Sequence, residues 1–137
     1  MSEDTAVSAD RLARAKSILV VEDNVSLRFT LAEWMRVQGY IVYEGATADE
    51  AVEILNSPIH VDLVVTDVDM PGTMDGIGLT EHIQATASGM EVIIVSGKPN
   101  ERIKEKGVKF FLKPYDFEAL GLHIDRVLPK EPVGGPK

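Results

Sequence analysis

The chain has no cysteine, which excludes disulfides and thiolate-bound metal. It also lacks any apolar run near the roughly 20 residues that a membrane helix needs. The N-terminal stretch MSEDTAVSADRLARAK contains no hydrophobic region of the kind that marks an export signal. The expected location is the cytoplasm, with no membrane partner. Basic residues are few: 14 Lys and Arg stand against 22 Asp and Glu, for a formal net charge of −8. A nucleic-acid surface needs clustered Lys and Arg to replace counterions, so no nucleic-acid partner is expected. His60, His82 and His123 lie far apart, without metal-ligand spacing, and read as surface or core residues.

What is present is one domain's worth of chain, 137 residues, enough to bury roughly two-thirds of its unfolded surface. Short β-branched runs alternate with helical spacing. Ser17 to Val21 reads as a buried strand ending on Glu22-Asp23, with Asn24 as the cap of a helix carrying Leu27, Leu31, Trp34 and Met35 inward. Gly39 stops that helix, and Tyr40 to Tyr43 is a short strand. Thr47 and Glu50 form a capping box for a helix with Ala51, Ile54 and Leu55 inward. Val61 to Thr66 is the central strand, followed by Asp67, Asp69, a Met70-Pro71-Gly72 turn and Asp75-Gly76. Asp75 reads as an N-cap rather than a ligand, and Gly76 to about Thr86 is helical. Met90 to Val95 is a fourth strand with Ser96-Gly97 at its end. The charged connection from Lys98 to Gly107 has room for at most two helical turns. Val108 to Leu112 is a fifth strand, followed by Lys113-Pro114, and Asp116 caps a last helix with Phe117, Leu120, Ile124 and Val127 on one face. Residues 1–15 read as a polar arm, with a short helix over Ala9–Ala15, and 129–137 as a flexible tail, leaving one domain over 16–128.

Strands alternating with helices predict an α/β doubly wound parallel sheet with right-handed crossovers. In such a sheet all carboxyl ends lie along one edge, where ligands bind. Glu22-Asp23, Asp67, Ser96 and Lys113 stand at four of those ends. Clustered carboxylates repel and require a cation. Lys113 is one, and Mg²⁺, which takes oxygen ligands from one or two carboxylates, is the natural second. Without nearby His or Cys, zinc does not suit the set. A carboxylate is a competent nucleophile toward phosphorus, and metal, ammonium and hydroxyl can share the oxygens of a transferred phosphoryl group. The parts suit phosphoryl transfer to Asp67.

Four stretches in this order, Val20-Val21-Glu22-Asp23-Asn24, Thr66-Asp67-Val68-Asp69-Met70-Pro71 with Met74-Asp75-Gly76, Val95-Ser96-Gly97 and Phe111-Leu112-Lys113-Pro114, resemble the receiver domain of bacterial two-component response regulators, of the stand-alone, single-domain type. The resemblance implies a flavodoxin-like five-stranded sheet of order 2-1-3-4-5, an order for which the same family is a standard example. It implies that Asp67 is the phosphoacceptor, served by a sensor histidine kinase or a histidine phosphotransfer protein, in a phosphorelay or partner-binding switch that acts on an unknown downstream protein. Asp23 would be a direct Mg²⁺ ligand, Glu22 would act through a metal-bound water, and the main-chain carbonyl of Asp69 would complete the set with Asp67. Ser96 and Lys113 would hold the phosphoryl oxygens, and Lys113-Pro114 would be cis. Ser96 and Phe110 would be the switch pair, with Phe110 standing where many receivers have Tyr; plain core is the other reading of Phe110.

Two departures stand out: the loop MPGTMDG is one residue longer than the commoner form, and the shortened connection predicts a stunted fourth helix. Asp69 and Lys98 flank the expected path of attacking water and are candidates for tuning the phosphorylated lifetime. No enzymatic turnover is expected beyond self-catalysed phosphorylation and hydrolysis at Asp67. Two other functions fit parts of the pattern: a receiver-like interaction module that is not phosphorylated, and an Asp-nucleophile phosphatase suggested by Asp67-Val68-Asp69.

Overall fold

The computed structural model describes residues 15–129. The expected arm and tail lie outside the described residues, apart from Ala15 and Pro129. Five parallel strands alternate with five helices: β1 (Ser17–Val21), α1 (Val25–Val37), β2 (Ile41–Gly45), α2 (Ala48–Leu55), β3 (Leu63–Asp67), α3 (Gly76–Thr86), β4 (Glu91–Ser96), α4 (Glu101–Lys106), β5 (Lys109–Leu112) and α5 (Phe117–Val127). The sheet order is β2-β1-β3-β4-β5, the expected flavodoxin-like arrangement.

Because successive strand residues point to opposite faces, each central strand supplies both halves of a two-sided core. Ile18, Val20, Leu63, Val65, Ile93 and Val95 point toward α1 and α5, where they meet Leu31, Met35, Leu120 and Ile124. Leu19, Val21, Val64, Val92 and Ile94 point the other way, toward Ala48, Ala51, Ile77, Leu79, Ile83 and Ile103 of α2, α3 and α4. Burial on both faces explains why these strands read as unbroken apolar runs rather than as alternating ones. Each fully buried Leu or Ile contributes roughly 1.5–3 kcal/mol relative to exposure.

Four of the five helices begin on the caps that the sequence places, and the fourth begins on Asn100. Asn24 accepts from the Leu27 N–H, Thr47 from Glu50, Asp75 from Gly78 and Asp116 from Glu118. The capping box differs in one detail: the Glu50 carboxylate accepts from the Ala46 N–H at 2.7 Å, one residue before the cap. The fourth helix is six residues long and ends on Gly107, whose φ of 68° is left-handed, a conformation glycine adopts without penalty.

Four strands shift from their expected limits: β4 runs Glu91–Ser96 rather than Met90–Val95 and β5 starts at Lys109 rather than Val108, and the shifts in β2 and β3 follow from pairing. The second strand runs on to Gly45, because β1 continues to Val21 and the two residues are register partners. Tyr40 instead turns into the core, where its hydroxyl donates to Asp125 at 2.5 Å. The third strand starts at Leu63 and includes Asp67, which pairs with Val95 of β4.

Burial, together with the bond to Asp125 and its charge, pushes the Tyr40 phenol above its usual range. A phenol whose folded pKa is raised contributes stability that is complete below the unfolded value of about 10 and is lost as the pH rises through the folded value. Tyr40→Phe is expected to lower unfolding free energy by about 1 kcal/mol at pH 8, and the gap to wild type should narrow above the free phenol value. Urea melts of both proteins across that range check this; a gap that does not change with pH contradicts it.

Candidate functional site

The carboxyl rim of the sheet gathers residues that the chain separates widely. β1 ends at Val21, and the next residue, Glu22, still bonds through its N–H to the Gly45 carbonyl of β2 at 3.0 Å. Its side chain is buried, and its two oxygens are both taken: Oε2 accepts from the Asn24 N–H at 3.1 Å and Oε1 from Lys113 Nζ at 2.9 Å. Asp67, the last residue of β3, is also buried. Its Oδ1 accepts from the Val68 N–H at 2.8 Å, and its Oδ2 lies 3.2 Å from Lys113 Nζ. Asp23, by contrast, is exposed. Each of the three acids offers one oxygen within 4.8 Å of the other two.

Lys113 reaches this place because β5 ends just before it and its N–H donates to the Ser96 carbonyl at 2.7 Å, extending the β4–β5 pairing by one residue. The following Lys113-Pro114 bond is cis, as expected. Burial favours the neutral amine, but the hydrogen bond that Lys113 donates to Glu22 and the charge of Asp67 outweigh it, so Lys113 is held above the ordinary lysine range and stays charged. Glu22 moves upward as well: burial dominates, and the repulsion from Asp67 adds to it, against the opposing pull of Lys113 and Asn24. Three carboxylates therefore face one ammonium, a set of hard oxygen donors with charge to spare for a divalent cation. That donor set fits Mg²⁺, which binds through few carboxylates and keeps waters; among the described residues it is the cluster of acids drawn close enough to hold a metal.

Ser96 ends β4 and is buried, and its hydroxyl donates to the Lys98 carbonyl at 3.1 Å. Phe110 is half-buried and packs on the α2–α3–α4 side of the sheet. Asp69 and Lys98 are exposed in the loops after β3 and β4. Asp75 caps α3 and lies 3.5 Å from Arg102 of α4, which accounts for it structurally.

The long loop after β3 follows a defined path. The Gly76 N–H donates to the Val68 carbonyl at 2.9 Å, closing the loop at its base. At its tip Gly72 has a φ of +110°, and a Cβ there would meet Asp49 Oδ2 at 3.5 Å. Gly76 is seated so closely beneath the phosphoacceptor candidate that a Cβ would fall 1.9 Å from the Asp67 carbonyl oxygen.

Three participants escape a reading of the sequence. Tyr115 lies near enough to the acids that burial, and then the charges of Glu22 and Asp67, push its phenol up to about 12; its place directly after Lys113-Pro114 is the one signal that could have found it. Gly76 reads as a helix start, and only its neighbour across the loop shows that no side chain fits. Arg28, in the first turns of α1, donates from Nη1 to the Glu22 carbonyl at 2.8 Å, a contact that helical spacing does not reveal.

An α/β domain of this strand order is flavodoxin-like, and here it carries an acidic cluster and a lysine at its carboxyl rim. Residues 18–125 match the Response regulator receiver domain family, and the chain belongs to that family. It is 30% identical over 135 residues to Sensor kinase CckA of Brucella abortus, covering 94% of this chain but 14% of that protein. It is 29% identical over 119 residues to Sporulation initiation phosphotransferase F of Bacillus subtilis, covering 83% of this chain and 94% of that one. A receiver domain protein (CheY-like) from Methanospirillum hungatei superposes with a TM-score of 0.77 at 26% identity, over 83% of this chain and 94% of that chain. The chain thus spans a small part of some relatives and nearly all of others. Among the described residues no helix is long and apolar enough to cross a membrane.

Gly76→Ala is expected to destabilise the domain by about 3 kcal/mol, because the Asp67 backbone has to move to admit the methyl group. A urea midpoint equal to that of wild type contradicts the close approach.

Proposed function

We propose that the domain is the phosphoacceptor of a two-component system, with Asp67 receiving a phosphoryl group from a sensor histidine kinase or a histidine phosphotransfer protein in the cytoplasm. The observation that carries this reading is the Lys113 ammonium placed between Glu22 and Asp67, with Asp23 alongside. An Asp67 carboxylate oxygen attacks phosphorus, the P–N bond of the phosphohistidine breaks, and the departing imidazole keeps the electron pair and takes up a proton. The product is an aspartyl phosphate.

Lys113, already beside Asp67 Oδ2, pairs with a phosphoryl oxygen without rebuilding its surroundings. Charge spreads over the three oxygens of the transferred group in the transition state, which is why fixed cations matter more here than proton transfer. Asp23, Asp67 and the Asp69 carbonyl would hold Mg²⁺, with Glu22 acting through a water; the ion, when bound, would neutralise charge on the phosphoryl oxygens. Ser96 gives up its bond to the Lys98 carbonyl to take a phosphoryl oxygen, and Phe110 moves with it. That exchange biases the domain between two conformations, and a downstream protein reads the difference. Asp69 and Lys98, exposed beside the site, set how fast water reaches the phosphorylated state.

Incubation with acetyl phosphate or phosphoramidate, followed by intact-mass measurement, tests this reading. Wild type should gain one phosphoryl group when Mg²⁺ is present and none when it is chelated, and Asp67→Asn should gain none at that position. After donor removal, Asp69→Asn should change the rate at which the added mass is lost. A wild-type protein that gains no mass would leave a receiver-like binding module that is not phosphorylated.

A further inference from the structure

Glu22 is fixed at its N–H by β2, at its carboxylate by Asn24 and Lys113, and at its carbonyl by Arg28. That last contact is unusual in its support. The Arg28 guanidinium is largely buried, and its Nε lies 3.3 Å from Glu44 Oε1. The other oxygen of Glu44 is 3.1 Å from Arg36 Nη2, which also donates to the Val42 carbonyl at 2.8 Å, while Arg36 Nη1 meets Glu33 at 2.6 Å. Glu44 stands on β2 opposite Val20 of β1. A line of charge-assisted contacts thus runs from Glu33 through Arg36, Glu44 and Arg28 to the Glu22 carbonyl.

The Glu22 carbonyl belongs to the peptide unit that joins Glu22 to Asp23. Fixing that oxygen fixes the peptide plane, and with it the direction in which the exposed Asp23 side chain leaves the backbone. We propose that Arg28, oriented by Glu44, is a positioning residue that holds Asp23 and Glu22 at the angle needed for divalent-cation binding. Groups that orient metal ligands without touching the metal commonly change affinity by 10–100-fold when removed. A planar fork suits the task, because one guanidinium serves a carbonyl and a carboxylate together, which a lysine ammonium does with less directional control.

The inference rests on the reading of the acidic cluster as a Mg²⁺ site, and the sign of the effect separates positioning from simple electrostatics. Deleting a cation near a metal site should by charge alone tighten Mg²⁺ binding. Loss of positioning weakens it. Isothermal titration calorimetry with MgCl₂ on the intact chain is therefore expected to show about tenfold weaker binding for Arg28→Met and a partial recovery for Arg28→Lys. The Arg28→Met, Glu44→Gln double variant, which removes one charge of each sign, should resemble Arg28→Met rather than wild type. With acetyl phosphate, Arg28→Met should lose rate at low Mg²⁺ and regain most of it at saturating Mg²⁺.

Circular dichroism confirms that each variant is folded; if Arg28→Met is not, Arg28→Lys, which keeps the charge and loses the planar fork, carries the test. Equal or tighter Mg²⁺ binding in Arg28→Met, or in Arg28→Lys when Arg28→Met is unfolded, overturns the positioning role while leaving the proposed function in place. A wild type that binds no Mg²⁺ overturns both.

Discussion

The structure depends on one ammonium group. Lys113 Nζ sits 2.9 Å from Glu22 and 3.2 Å from Asp67, joining the ends of β1, β3 and β5. Without it, two buried carboxylates would face each other with an exposed third beside them and no cation between. The ion pair is buried enough that removing one partner would strand the other, the circumstance in which such pairs matter most.

The fold is arranged so that this contact can form. Apolar β-branched runs bury both faces of the sheet, so each strand's register is fixed by the core, and polar residues at strand ends have one rim on which to appear. The loops are then closed by local means: Gly76 against Val68, Asp75 over the start of α3, and the Asn24 N–H on Glu22. Packing, capping and charge agree at each of these points, which is the mark of a sequence that specifies one structure.

Much of this was legible in the residues. The strand ends show to within a residue, at Val21, Thr66 and Val95, because a β-branched run gives way to acid or hydroxyl, and the caps at Asn24, Thr47, Asp75 and Asp116 show because each precedes a helical pattern. The strand order came from family resemblance, since periodicity does not say which strands are neighbours. What stayed hidden depends on contacts across the chain. Arg28 has the look of a solvated helix residue until Glu44 and the Glu22 carbonyl are placed beside it. Tyr115 shows its nearness to the acids only by following Lys113-Pro114. The orientation of the Ser96 hydroxyl toward Lys98 is likewise a matter of loop geometry that no spacing encodes.

Receivers share a fold while serving proteins of very different size, as the matches to a sensor kinase and to a phosphotransferase nearly the length of this chain illustrate. The most direct test of the role of the acidic rim is a Mg²⁺ titration followed by amide ¹H–¹⁵N correlation spectra of the intact chain. Saturable shifts centred on residues 22–24, 67–69, 96–98 and 113, with little change at the opposite rim around Ser17 and Asp62, are predicted. Shifts that do not saturate, or that centre away from Glu22, Asp23 and Asp67, would contradict the account.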